Sequence, residues 1–228
     1  MIVLGIDTST MRTSVGLIKD EEEIASFEIT SSVNNSEDLT DMIADIFNKL
    51  DIRIQDIDLI GVGVGPGSYT GTRIAVTVAR VLAQTLDKKI KAVSSLKSLS
   101  YHYEGDRVIL SILDARRARG YYGIYKNNSG NIKTVKEDSV DDFEHIKKEL
   151  SGQKVVILGK DSEKLIDCFK SDIDIIKLSN CQIKGSYIAK LALEEFKNSG
   201  EDEIEEVLPN YINKSQAERE YEKRKNNN

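Results

Sequence analysis

The chain has 228 residues, enough for one large domain or two small ones. Hydrophobic residues make up 39% and charged residues 31%, a mixture that can bury a core and stay soluble. A formal net charge of −6 excludes wholesale electrostatic coating of nucleic acid, though not a local basic patch. The only cysteines, Cys168 and Cys181, form no CxxC pair, so a reducing, cytoplasmic setting is the simplest expectation. His102 and His145 stand far apart without metal-ligand spacing, and neither a metal nor a cofactor is expected. The apolar run Ile2 to Ile6 is too short for a signal peptide and lacks its basic flank. Nowhere are there ~18 consecutive apolar residues, so no membrane span is expected.

In chain order, Ile2 to Ile6 reads as a strand buried on both faces, followed by the polar turn Asp7 to Thr13 and a second strand from Ser14 to Ile18. Lys19 to Glu23 is a charged hairpin tip, and Ile24 to Ile29 a third strand. Ser36 is placed as the N-cap of a helix, with Glu37 and Asp38 in its first turn. Leu39, Met42, Ile43, Ile46, Phe47 and Leu50 then form one apolar stripe. Leu59 to Val64 is a strand that runs into Gly65-Pro-Gly-Ser-Tyr-Thr-Gly71. The helix behind it, Thr72 to Leu86, is apolar or small on nearly every side, so it is deeply buried or covered by something else. Ile90 to Val93 is a further short strand.

The pattern then restarts. Val108 to Leu113 ends at Asp114 as Ile2 to Ile6 ends at Asp7, and nine residues separate each aspartate from a glycine of the following strand, Gly16 and Gly123. A strand–glycine–helix succession at 154 to 169 echoes the one at 59 to 86. Two similar units in tandem suggest a duplicated α/β protein. A helix from Ser186 to Lys197 follows, then an acidic stretch, and residues 215–228 read as a charged, aperiodic tail.

The glycine-rich loop could hold an anion at a helix N-terminus, or simply be a tight turn that lets the helix approach the sheet. It has neither a Walker lysine nor dinucleotide-fingerprint spacing, and Pro66 removes one donor. Asp7 with Thr8, Ser9 and Thr13 resembles the hairpin phosphate loop of the actin, Hsp70 and sugar-kinase superfamily, without the usual glycine after the aspartate. After the duplicate, Asp114, come Arg116, Arg117 and Arg119, which are either a solvated basic turn or a nucleotide or RNA contact. No serine or threonine here has a base in any recognisable motif.

Five segments in this order carry a family resemblance: Ile2 to Thr10, Gly65-Pro-Gly-Ser-Tyr-Thr-Gly-Thr-Arg-Ile74, Ser94-Ser-Leu96, Asp114-Ala-Arg-Arg117 and Pro209-Asn-Tyr-Ile212. From residue 1 to about 214 the chain resembles the TsaB (YeaZ) family of tRNA threonylcarbamoyladenosine (t6A) biosynthesis proteins. The resemblance implies a duplicated actin-like ASKHA (ribonuclease H-like) fold: an α/β architecture of two mixed five-stranded sheets flanked by helices. Its lobes would be residues 1–98 and 99–214, with room for the last helix to pack back on the first lobe.

The family also implies a non-catalytic scaffold that heterodimerises with the catalytic paralogue TsaD, works with the ATPase TsaE and meets tRNA indirectly. Leu39, Met42, Ile43, Ile46 and Phe47 of the first helix would form the partner surface. Ser68, Tyr69, Thr70, Arg73, Ile74, Thr77, Val78 and Val81 would complete it, with Ala75, Ala79 and Ala83 allowing close helix approach. Asp7, Thr8, Ser9, Arg116 and Arg117 are candidate nucleotide or RNA contacts. A homodimer of the lone protein through the same surface stays open. Two positions depart from the family: Asn34-Asn-Ser36 stands where many members have a histidine, and Tyr211-Ile-Asn213 where they close on Tyr-Leu-Arg. An alternative from another class is a small-molecule kinase or ATPase of this fold that uses Asp7 and Asp114.

Overall fold

A computed structural model describes residues 1–30, 36–170, 173–178 and 180–212. Asn34, Asn35, Asn213 and the 215–228 tail lie outside them. The first three strands are β1 (Ile2–Asp7), β2 (Arg12–Lys19) and β3 (Glu22–Thr30), a meander followed by helix α1 (Ser36–Leu50). Then come β4 (Leu59–Gly63), α2 (Tyr69–Leu86) and β5 (Lys89–Val93). These five strands form one sheet in the order β3-β2-β1-β4-β5, antiparallel in the meander and parallel through β1, β4 and β5.

A short helix, α3 (Ser95–Ser98), leads to the second set: β6 (Val108–Asp114), β7 (Arg119–Asn128), β8 (Asn131–Asp142), α4 (Phe143–Glu149), β9 (Lys154–Leu158), α5 (Ser162–Leu165) and β10 (Asp174–Lys177). Their order, β10-β9-β6-β7-β8, repeats the first plan strand for strand, with the same senses of pairing. The duplication read from the sequence is therefore present in the topology.

The nine-residue spacing does not survive as a shared register. Asp7 pairs with Ser14 across a turn of residues 8–13, whereas Asp114 pairs with Gly120 across residues 115–119. The second turn is one residue shorter, so Gly16 faces Gly5 but Gly123 faces Ser111. A one-residue slip moves a side chain to the other face of a sheet.

Helix α2 starts three residues earlier than the apolar pattern indicates, because Ser68 caps it by accepting from the Gly71 amide at 3.2 Å. The helix that closes the 154 to 169 succession is α5 continued by a 3₁₀ turn at Ile166–Cys168. Strand β8 is a half-exposed edge strand whose many charges disguise it in the sequence.

The last helix, α6 (Gly185–Ser199), turns back onto the first sheet. Close approach depends on glycine. A Cβ at Gly5 would lie 2.0 Å from the Gly185 carbonyl oxygen, and one at Gly16 2.0 Å from the Ser186 nitrogen. The Gly185 amide donates to Ser14 Oγ at 2.6 Å, which satisfies one of the helix's free N–H groups. The apolar core follows this layering. Helices α1 and α2 cover one face of the first sheet, α4 and α5 pack in a second-sheet cluster, and the cluster around α6 joins residues of both sheets. No helix among the described residues is long and apolar enough to cross a membrane.

Gly16→Ala should lower the unfolding free energy by about 1–3 kcal/mol or more, because the new methyl meets backbone that has no alternative rotamer. Urea denaturation of the two proteins measures it.

Candidate functional site

Asp7 ends β1 with no solvent exposure. Its Oδ1 accepts from the Ser9 amide at 2.8 Å and the Ser9 hydroxyl at 2.7 Å, and its Oδ2 accepts from Ser95 Oγ at 2.5 Å. Burial pushes the carboxyl pKa upward, while the Ser95 and Ser9 hydroxyls and the Ser9 amide pull it back. Ser95 Oγ also accepts from the Gly65 amide at 3.0 Å, tying the start of α3 to the glycine-rich loop.

That loop lies directly on the Asp7 turn. The Ser68 amide donates to the Ser9 carbonyl at 2.6 Å, and Thr8 Oγ1 donates to the Gly71 carbonyl at 2.5 Å. A Cβ at Gly67 would sit 2.1 Å from the Ser9 oxygen, and one at Gly63 1.9 Å from Asp7 Oδ2. Asp7, Thr8 and Ser9 are thus brought together, but under a lid of their own chain. Of the two readings of the loop, the tight turn fits this geometry.

The second repeat keeps the same local turn. The Arg116 amide donates to Asp114 Oδ1 at 2.7 Å, as Ser9 does to Asp7. Here nothing covers it: Asp114, Arg116 and Arg117 are exposed. Arg116, Arg117 and Ala118 all adopt left-handed backbone, a cost of ~1–3 kcal/mol apiece. Asp114 and Ala118 anchor the turn, through Asp114 N to Asp161 Oδ2 at 3.0 Å and Phe143 N to the Ala118 carbonyl at 3.1 Å. Across β7 and β8, Arg119 pairs with Asp142.

The residues named for a partner surface divide between the core and the outside of the chain. Leu39, Met42, Ile43, Ile46 and Phe47 are all buried in the protein's own core, where the α1 stripe covers the first sheet. Ala75, Ala79 and Ala83 are likewise fully buried in that core. Ser68 is half-buried and spent on its cap; Ile74 and Val78 are half-buried and pack on the same cluster. What remains outside is one face of α2: Tyr69, Thr70, Arg73, Thr77 and Val81, with Val81 56% exposed.

This face gains a neighbour from far along the chain. The Tyr211 ring stacks on Tyr69 at 4.7 Å between centroids, and the Arg73 guanidinium lies 4.8 Å from the Tyr69 centroid on α2 itself. Tyr69 and Tyr211 are each more than 40% exposed. Residues 200–212 carry Tyr211 there as a strap. Buried Lys91 donates to Asp202 Oδ1 at 2.7 Å and to Ser199 Oγ at 2.9 Å, and the Ala92 amide donates to Asp202 Oδ2 at 2.8 Å. Nothing in the local sequence announces the Tyr211 contact, since stacking across such a separation leaves no periodic signal.

The histidines have ordinary partners. His102 Nε2 lies 2.7 Å from the Gln182 carbonyl oxygen, and burial lowers its pKa. His145 sits within reach of Asp141 and Asp142, a grouping with the chemistry of a metal site. Asp142 is accounted for as the cap of α4, accepting from the His145 amide at 2.9 Å.

Two mixed sheets of one plan, each with a hairpin turn at the aspartate end of its first strand, define a duplicated, actin-like ASKHA protein. A family model described as "TsaD: tRNA N6-adenosine threonylcarbamoyltransferase" matches residues 29–221. The chain is 36% identical over 169 residues to the tRNA threonylcarbamoyladenosine biosynthesis protein TsaB of Bacillus subtilis, covering 71% of this chain and 72% of that one. It therefore belongs to the TsaB (YeaZ) family. YeaZ from Pseudomonas aeruginosa shares the fold, with a TM-score of 0.81 at 24% identity over 92% of this chain and 99% of the other. The activator of the 2-hydroxyisocaproyl-CoA dehydratase from Clostridium difficile, solved with bound ADPNP, is more distant. Its TM-score is 0.53 at 15% identity, covering 87% of this chain and 97% of that one.

Asp7→Asn keeps the shape of the side chain but turns an amide NH₂ toward groups that themselves donate. Unfolding free energy should fall by about 1–3 kcal/mol, read by chemical denaturation at neutral pH.

Proposed function

We propose that this protein is a non-catalytic scaffold in tRNA threonylcarbamoyladenosine biosynthesis. It docks the catalytic paralogue TsaD through the exposed face of α2 and acts with the ATPase TsaE, meeting tRNA only through the assembly, in the cytoplasm. One observation carries the reading. The turn that could serve phosphate chemistry is sealed by its own loop, while Tyr69, Arg73 and Val81 stand exposed on the helix which that loop begins. Tyrosine and arginine are the residue types that anchor protein interfaces. The TsaB name of the Bacillus subtilis relative supports the pathway. Arg116 and Arg117 remain candidates for nucleotide or RNA contact, being exposed and held in a fixed turn.

The rival reading, an ATPase or kinase using Asp7 and Asp114, has less behind it. Every oxygen of Asp7 is already engaged by its own chain. The purified protein should show no magnesium-dependent ATP turnover, and turnover abolished by Asp7→Asn would reinstate that reading.

Mixed with TsaD, the protein should elute from a sizing column as a heterodimer and restore t6A formation in a strain that lacks its own copy. Tyr69→Ala should weaken pairing by about 2 kcal/mol, roughly thirty-fold, and Val81→Glu should abolish it. Circular dichroism of both should match the parent, because each side chain projects outward. Folded variants that pair normally would remove α2 from the interface.

A further inference from the structure

One tip of each sheet, the β2–β3 turn at Glu21 and the β7–β8 turn at Ser129 to Asn131, borders a cavity of about 430 Å³ over α6. Small-molecule sites begin at ~300 Å³ and favour the seam between lobes. Ile18, on the cavity wall, pairs with Val3 toward the other end of the β1–β2 ladder from Asp7, so the sealed turn is not part of it. Buried Ile18 and Leu193 supply an apolar surface, and Tyr101 stands beside them. Asn127, only 3% exposed, fixes one wall. Its side chain donates to the Ser100 carbonyl at 3.0 Å and accepts from the Gly130 amide at 2.9 Å.

The charges that line this cavity are unevenly spent. Glu21 is paired with Lys197 across its mouth. Lys190 and Glu194 stand one turn apart on α6, where opposite charges can meet, although lysine before glutamate is the poorer order. No ion pair joins them. The Tyr101 hydroxyl donates to Glu194 Oε2 at 2.9 Å, and Lys190 has no hydrogen-bond or ion-pair partner among the described residues. Burial first, and then the Glu194 charge, raises the Tyr101 pKa, so the tyrosine stays a donor. Half-buried Lys190 is left with an unmatched positive charge, and Glu194 with a second oxygen, Oε1, that no described residue engages.

We propose that this cavity binds a free α-amino acid with an apolar side chain. Lys190 takes its carboxylate, Glu194 Oε1 takes its ammonium, and its side chain lies on Ile18 and Leu193. A zwitterion carries both charges on one small body, which suits a cation and an anion one helical turn apart. A simple anion or a simple amine would leave one of the two unmatched in a half-buried place. Charge-assisted hydrogen bonds at both ends fix the orientation. Because α6 packs on the first sheet and Ser129 to Asn131 belong to the second, an occupant bridges the two lobes. Neither the Asp7 turn nor the exposed α2 face takes part.

Titration of the nitrogen-15-labelled full chain with L-leucine, followed by NMR, tests it. Amide shifts should saturate and concentrate in residues 129–131 and 190–198. Two analogues divide the charges: 4-methylpentanoate lacks the ammonium, and 3-methylbutylamine lacks the carboxylate. Each should bind at least about tenfold more weakly than L-leucine, and L-leucine should bind Lys190→Gln and Glu194→Gln more weakly by a similar factor. Circular dichroism of both variants should match the parent; should either fail to fold, the two analogues decide. Equal binding of either analogue marks a simple ion site and overturns the assignment. So do shifts confined to other parts of the chain, or no saturation by ~20 mM L-leucine.

Discussion

A carboxylate removed from water must be met by hydrogen-bond donors, and at Asp7 that requirement organises the first half of the molecule. Three donors converge on it from two segments far apart in sequence, the hairpin turn after β1 and the start of α3. Ser95 passes the constraint to Gly65, and Ser68 returns it to Ser9. Once Asp7 is buried, the glycine-rich loop has one place to go. Helix α2 inherits its starting point, because Ser68, which closes the loop on Ser9, also caps the helix. Gly63 and Gly67 are needed because any side chain there would occupy the space of the carboxylate or of the Ser9 carbonyl.

The two repeats show what this closure changes. Both keep an aspartate whose Oδ1 accepts the amide two residues on, so the hairpin turns are alike in their backbone logic. In the first, the glycine-rich loop after β4 folds over the turn. In the second, β9 is followed by Gly159 and a short helix whose Asp161 supports the Asp114 amide from beside it. The turn stays open and carries arginines, with Asp142 across the ladder from Arg119. One framework thus occurs twice, with its turn covered in the first copy and exposed in the second.

Much of this was legible in the sequence. Continuous apolar runs marked β1, β4, β6 and β9, since strands buried on both faces need no alternation. The α1 stripe was also legible, but an apolar stripe says only that something covers it. Periodicity cannot distinguish a protein's own sheet from a partner, and here Leu39 to Phe47 meet the sheet. Strand β8 was missed for the complementary reason: an edge strand exposed on one side carries Lys133, Lys136 and Glu137, which break up any apolar run. The stacking of Tyr211 on Tyr69 and the Ser94–Asp138 bond join segments with no sequence relation, and only the folded chain shows them.

The exposed α2 face depends on more than α2. An aromatic stack in water is worth little alone, about 0.5–1.5 kcal/mol beyond its buried area, and would not order such a segment. Tyr211 is placed instead by the strap that precedes it: Val207 is buried against the first-lobe core, and the Asn210 amide donates to the Val64 carbonyl at 2.8 Å. At the strap's other end, Lys91 is only 6% exposed and its ammonium is neutralised by Asp202. Breaking such a pair strands a charge and costs ~3–5 kcal/mol, far more than the stack it supports. Tyr69, Arg73 and Tyr211 are thus held together by a strap that an ion pair to the edge strand β5 helps to secure.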